Sequence, residues 1–385
     1  MTTTRRDFLK RMGAGAVLLV GVRFVSGCEE LTFESKAAGA PPSFLTPADD
    51  GAWYWQSGKG ISKEDAPHIE RDEWELSIRD DDGLVDTLDF DELQKYAQRG
   101  AASSYWKTMR CVFGQNHGAP SATYVANGIF TGIALHQVLE DFGLSAQAAK
   151  LHTFGADGFT SNIPMERALD RGSTLQPVML AYELNGEPLS RLRGGPVRLV
   201  VPEMWGYKNV KWLEQLTATD SDAFFGTYET EQFGSADAQT QQIIDDPGEI
   251  ALGSVVTDPA AVSTEVEGPQ ITLAGASVAG GRRIGGVELS LDDGPFEPAE
   301  LLSEPEMLDA LEPDQRELAR RAAQAGDEWP WPGVWMTWRK RYADLSPGNH
   351  TVTIRASDAS GEAQPVHSDE PLRRAPQVRI PFKII

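Results

Sequence analysis

Two cysteines stand in this chain of 385 residues, Cys28 and Cys111. A thiolate is a soft ligand, so Cys111, within Met109-Arg110-Cys111-Val112, can serve a metal that favours sulfur. Read alone, a cysteine in such company is most often a small buried hydrophobe. Arg110, directly before it, can hold a thiolate or face an anionic substrate; the bland alternative is a surface salt bridge. His117 can act as a pocket donor or proton relay, or simply as a polar loop residue. His68, His136, His152, His350 and His367 show no ligand spacing. Two cysteines are too few for a multi-cysteine zinc site, and no Cys-x-x-Cys-His haem motif occurs.

The elements that must position these residues read as two domains. Trp74-Glu75-Leu76-Ser77-Ile78 alternates like a strand, and Asp89 caps a short helix through Tyr96. Leu135, Val138, Leu139 and Phe142 repeat at helical spacing and stop at Gly143. Residues 197–201 are a near-continuous apolar run between prolines, the pattern of a buried strand. These mixed elements predict an α+β domain over 71–250. From 251 to 385 short alternating strands appear, at 287–291 before Asp292-Asp293-Gly294 and again at 350–355. They predict an immunoglobulin-like β-sandwich. Residues 304–327 interrupt it with a charged helical pattern.

Upstream, residues 1–27 read as an export signal. Thr4-Arg5-Arg6-Asp7-Phe8-Leu9-Lys10 resembles the twin-arginine signal, and Val25-Ser26-Gly27-Cys28 resembles a lipobox. The apolar run between them is too short to span a bilayer. The resemblance implies that Cys28 is lipidated and anchors the protein at the periplasmic or extracellular face of the membrane. A cleaved signal with an incidental Cys28 is the other possibility. Residues 28–70 read as a tether and N-terminal extension. The formal net charge of −22 argues against nucleic acid, which binds basic surfaces. It suits docking on a basic partner, life in salt, or a merely well-solvated surface.

Four segments in order carry a further resemblance. They are Tyr105-Trp106-Lys107-Thr108-Met109-Arg110-Cys111-Val112, Ala181-Tyr182-Glu183-Leu184-Asn185-Gly186, Gly194-Gly195-Pro196-Val197-Arg198-Leu199-Val200-Val201-Pro202 and Trp205-Gly206-Tyr207-Lys208-Asn209-Val210-Lys211-Trp212. Together they resemble the molybdopterin domain of the sulfite oxidase family. The resemblance implies that Cys111 binds molybdenum beside the dithiolene of one molybdopterin. It places Tyr182 beside the metal oxo group, where a phenol donates without carrying charge at neutral pH. Arg193, Arg198 and Lys211 are implied to grip the pterin and its phosphate, the arginines as bidentate forks and the lysine as a point charge. Gly280-Gly281-Arg282 resembles a second-domain loop of that family whose arginine reaches an anion pocket; taken alone, Arg282 reads as a solvated turn. The tryptophan-rich stretch 329–338 resembles the family's dimerisation domain and predicts a homodimer.

The resemblance implies oxygen-atom transfer to a small sulfur oxyanion such as sulfite, with electrons leaving to a c-type cytochrome or other external carrier. The chain departs from the family at Gln115-Asn116-His117, where arginines are usual, and Arg193 stands where a histidine is usual. Fewer fixed positive charges predict weaker binding of a dianion. A reductase of S-oxides and a metal-free surface lipoprotein are the alternative readings.

Overall fold

The computed structural model describes residues 44–48, 53–112, 125–144, 148–172, 175–221, 223, 225–230, 248–258, 264–323, 328–369 and 373–385. The export signal, the lipobox, Cys28 and Gln115-Asn116-His117 lie outside the described residues.

Among its described residues the first half shows ten strands and three α-helices. In chain order they are β1 (Glu75–Asp80), β2 (Gly83–Asp89), α1 (Phe90–Tyr96), β3 (Ala102–Arg110), β4 (Val125–Ala134), α2 (Leu135–Asp141), β5 (Lys150–Gly155), β6 (Thr160–Pro164), α3 (Met165–Ala168), β7 (Met179–Leu184), β8 (Glu187–Pro188), β9 (Arg198–Val200) and β10 (Leu213–Thr219). One sheet runs β2-β1-β10-β5-β6, with β1 and β10 parallel. The other runs β3-β4-β7-β8, and β9 pairs with β7. Asp89 caps α1 through a reciprocal capping box with Glu92, which satisfies two backbone N–H groups at once. Gly143 follows α2 at φ +67°, a left-handed position that costs glycine little.

The expected extension is built into this half over its described part. Phe44, Leu45, Trp53 and Trp55 are all buried, because four large apolar side chains gain more from the core than from solvent. The Trp53 indole donates to the Thr46 carbonyl at 3.3 Å, and Thr46 Oγ1 accepts from the Asn127 amide of β4 at 2.9 Å.

The second half contains β11 (Gly253–Asp258), β12 (Thr264–Val266), β13 (Ile271–Val278), β14 (Ile284–Leu291), β15 (Phe296–Pro298), β16 (Glu300–Leu301), α4 (Glu304–Asp309), α5 (Pro313–Ala322), β17 (Met336–Tyr342), β18 (Gly348–Asp358) and β19 (Val378–Ile384). Two sheets form, β11-β13-β17-β16 and β12-β19-β18-β14-β15. Leu273 and Trp338 of one sheet and Leu289, Val352 and Ile354 of the other belong to one buried cluster, which continues into the first half. The charged helical pattern after residue 303 forms α4 and α5, as its periodicity predicts.

The second half grips β3, the strand that ends one residue before Cys111. The Thr108 amide donates to the Gly333 carbonyl at 3.2 Å, and the Trp335 amide donates to Thr108 Oγ1 at 2.8 Å. Trp106 Nε1 donates to the Ala319 carbonyl of α5 at 3.0 Å. The tryptophans expected to offer a dimer surface are used here instead. Trp331, Trp335 and Trp338 are buried within the chain, and Trp331 packs 6.0 Å from Trp106 and 6.2 Å from Phe44. Aromatic surface covered within one chain gives no argument for a second copy.

Candidate active site

Strand alternation decides which side chains meet at the end of β3. Successive residues of a strand point to opposite faces. Met109 and Cys111 line a cleft between the loops that follow the strands of this half. Arg110 points the other way, toward the second half, among Val125, Gly253, Val255 and Trp335. Its guanidinium lies 5.4 Å from the Trp205 ring, and burial pushes its pKa down to about 10.

The cleft gathers Cys111, Arg193, Arg198 and Lys211, four of the residues expected from sequence. Arg193 ends a short 3-10 turn, and Gly194 follows at φ +95°, where a Cβ would stand 2.7 Å from the Lys211 side chain. That approach requires glycine. Arg198 opens β9; its Nη1 donates to the Arg193 carbonyl at 3.0 Å and its Nη2 to the Asn209 carbonyl at 2.8 Å. Lys211 precedes β10, donates to the Gln56 carbonyl at 3.0 Å and lies 4.0 Å from the Trp55 ring centre.

The electrostatics of the cleft favour an anion. Burial, then the neighbouring Arg198 and Arg193, hold Lys211 well below the usual lysine range. Burial likewise lowers Arg198 to about 10, and Arg198 Nε is buried with no hydrogen-bond partner. Among the described residues Asp157 is the single carboxylate lining the cleft, and burial raises its pKa. Three basic side chains against one carboxylate, in a desolvated place, match the needs of a phosphate, which would favour the protonated lysine. Cys111 is buried at the inner side and its thiol donates to Gln56 Oε1 at 2.6 Å. Among the described residues no three His, Cys, Asp or Glu side chains are arranged around a metal ion. Beside a single thiolate at Cys111, a dithiolene would supply further soft sulfurs of the kind such a metal favours. The donor set fits molybdopterin.

Three expected residues are not brought to this cleft. Tyr182, on β7, is buried against Phe90, with ring centres 6.3 Å apart, on the face opposite Ala181. Arg110 faces the junction between the halves, as described above. Arg282 stands in the turn after β13, where its guanidinium binds the Asp358 carboxylate and donates to Glu362 at 2.7 Å. With two carboxylates as partners, Arg282 is engaged within its own domain and is not directed at the cleft.

Sequence reasoning missed Tyr54, Gln56, Asp157 and Tyr228, which also line the cleft. Each arrives singly from a loop or short turn. Only the aromatic run Trp53-Tyr54-Trp55 before Gln56 marked its stretch as structured. Lys208, left open by its motif, is fully buried and paired with Glu229 at 2.7 Å.

Comparison with known proteins gives this cleft a context. Residues 63–225 match the oxidoreductase molybdopterin binding domain. The chain is 35% identical to mitochondrial sulfite oxidase of Homo sapiens over 142 residues, 35% of this chain and 25% of that protein. It is 28% identical to the NADPH nitrate reductase of Aspergillus niger over 265 residues, 61% of this chain and 29% of that protein. These matches thus span about a quarter to a third of the relatives' own length. In fold it is similar to the sulfane dehydrogenase SoxCD from Paracoccus pantotrophus, with a TM-score of 0.67 at 21% identity, covering 96% of this chain and 86% of that one. The cofactor of the domain is molybdopterin with molybdenum.

Proposed function

We propose, from the premise that this chain belongs to the sulfite oxidase family of molybdopterin-dependent oxidoreductases, that it oxidises a small sulfur oxyanion such as sulfite. The convergence of Cys111 with Arg193, Arg198 and Lys211 on one cleft carries this reading. Cys111 holds the metal; Arg193, Arg198 and Lys211 hold the cofactor's phosphate end. When bound, the molybdenum centre supplies oxygen-atom transfer to a sulfur lone pair and takes up two electrons. The chain's own part is to bind the cofactor, orient it through the cleft's cations, and exclude water with Trp53, Trp55 and Phe159.

The electrons pass to an external carrier such as a c-type cytochrome, as the family resemblance implies, and the acidic composition favours a basic partner. Export by the twin-arginine route and a lipid anchor at Cys28 rest on the N-terminal motifs. The two packed sheets of the second half fit an immunoglobulin-like sandwich.

A second reading reverses the chemistry. The nitrate reductase match covers more of the chain than the sulfite oxidase match, which favours reduction of an oxyanion or S-oxide as the rival. One experiment separates them. The metal content of the purified protein is measured, and it is then assayed with sulfite plus ferricyanide, and with nitrate or methionine sulfoxide plus a reduced viologen. Sulfite oxidation is the expected result. Turnover confined to nitrate or the S-oxide overturns it in favour of the rival, and protein without molybdenum overturns both.

A further inference from the structure

Gln56 and Tyr228 meet across 172 positions of sequence beside the proposed metal ligand. The Cys111 thiol donates to Gln56 Oε1 at 2.6 Å. Gln56 Nε2 donates in turn to Tyr228 Oη at 2.7 Å. The Gln56 main-chain carbonyl accepts from Lys211 Nζ at 3.0 Å. One glutamine therefore touches the thiol, a cation of the cleft and a phenol from a distant segment.

That phenol is held from below. Glu229, next to Tyr228, is fully buried, and its carboxylate accepts from Lys208 Nζ at 2.7 Å and from the Ser161 hydroxyl at 2.6 Å. Lys208 Nζ also donates to the Asn162 carbonyl at 2.8 Å. The Tyr228 ring stands edge-on to Phe159, with centres 5.3 Å apart, and 5.8 Å from Tyr207. A buried ion pair adds little net stability, because desolvation offsets its attraction, but it fixes a position sharply. What it fixes here is where Tyr228 enters the cleft.

We propose that Gln56 and Tyr228 are positioning residues for the Cys111 sulfur, with the Lys208–Glu229 pair as their brace. The inference rests on the reading of Cys111 as metal ligand. A sulfur bound to metal carries no proton and can only accept hydrogen bonds. The Gln56 amide then turns over: Nε2 donates to sulfur, and Oε1 accepts the Tyr228 O–H. Its two ends are alike in shape, so the exchange needs no repacking, and a phenol can serve as donor or acceptor. An N–H aimed at the sulfur draws electron density from it and so tunes the metal it binds.

The test uses the full chain loaded with cofactor, comparing wild type with Gln56→Leu and Tyr228→Phe. Molybdenum per chain and the sulfur-to-metal charge-transfer absorption are both measured. Loss of the N–H raises the sulfur donor level, so the band should move to longer wavelength, further in Gln56→Leu than in Tyr228→Phe, with metal content held. A merely structural role lowers metal content and leaves the band of the loaded fraction in place. Unshifted bands in both loaded variants overturn the proposal while leaving the proposed function intact. If Gln56→Leu takes up no metal, Tyr228→Phe, which lacks one oxygen, decides alone. Wild-type protein without molybdenum overturns this inference together with the function on which it rests.

Discussion

Two groups of basic side chains divide the molecule, and their partners set them apart. In the cleft, Arg193, Arg198 and Lys211 face one carboxylate, Asp157, among the described residues. At the junction of the halves two arginines are matched with carboxylates, while Arg110 is buried there with its Nη1 lacking a hydrogen-bond partner. Arg282 binds Asp358 and Glu362, and Arg167 donates to Glu203 at 2.8 Å and sits 3.5 Å from Asp170. Lys107 is enclosed by the carbonyls of Pro202 and Met204. An arginine already paired with two carboxylates presents little net charge to a ligand. A buried cation with spare hydrogen-bonding capacity is stabilised by any anion that reaches it. The residue type is the same in both places; what sets the cleft apart is that it groups three basic side chains around one space.

The comparison is broken most directly at Cys111. Cys111→Ser should abolish molybdenum uptake and turnover while circular dichroism stays that of wild type, since the side chains are nearly equal in size. Retained metal would remove the ligand assignment. Next in size is Arg198→Met. A lost charge-assisted contact costs roughly 1.5–3 kcal/mol, or about tenfold to a hundredfold in affinity. Cofactor retention on dilution and gel filtration should fall by that factor.

The brace under Tyr228 sharpens the contrast, being a matched pair inside the cleft's own half. Lys208→Met leaves the buried Glu229 carboxylate without its charge partner, at a cost of up to about 3–5 kcal/mol. Combining it with Glu229→Leu should restore most of that loss, because an apolar pair of similar volume has no charge to desolvate. Urea unfolding midpoints of the two variants check this. A double variant as unstable as the single one would show that Ser161 and Asn162, not the ion pair, hold the segment.

The sequence made the cleft legible where function sits in short runs. Cys111, Arg198 and Lys211 lie in consecutive motifs, and strands β1, β9, β14 and β18 announce themselves by alternation or an apolar run. What stayed hidden were contacts made by chain crossings. Gln56 reaches Cys111 across 55 positions, and the aromatic run before it marks a structured stretch but not that contact. Arg110 was legible as a residue beside the thiol but not as one facing away, although the strand that carries it fixes this by parity alone. Tyr182 was misplaced for the same reason, lying on the opposite face of β7 from Ala181. The tryptophans of 329–338 were legible as buried aromatic surface. That they bury against β3 of the same chain depended on the insertion α5 folding back, which periodicity does not reveal.

A smaller effect is expected at Lys107. Burial is the first cause of its pKa falling to about 7, and Glu203 opposes that fall. Below pH 7 both native and unfolded chains carry the proton, and the full cost of burying the charge is present. Between about 7 and the unfolded lysine value of about 10.4 the unfolded chain binds more protons, so native stability rises with pH. Urea midpoints of wild type should therefore gain on those of Lys107→Met across that window. Parallel curves would mean the lysine stays charged in the fold.

The smallest effect is expected at Arg282, and it tests the comparison at its weakest point. The side chain is 41% exposed, and surface ion pairs contribute only about 0–1 kcal/mol. Arg282→Met should leave the KM for sulfite unchanged and lower stability by about 1 kcal/mol, the upper end of that range, because the buried Asp358 loses a charge partner. The turn that carries it brings Gly280, at φ +57°, against the Glu249 side chain, and Gly281 against Leu175 and Glu203, so the loop is packed in its present place. A large rise in KM with kcat unchanged would show that Arg282 leaves Asp358 and Glu362 to meet the anion. The junction's charges would then be a reserve released by substrate, and the division between matched and ligand-ready cations would hold only for the resting protein. Steady-state kinetics of Arg282→Met beside Arg198→Met distinguishes the two cases, because the second should lose cofactor while the first should lose nothing.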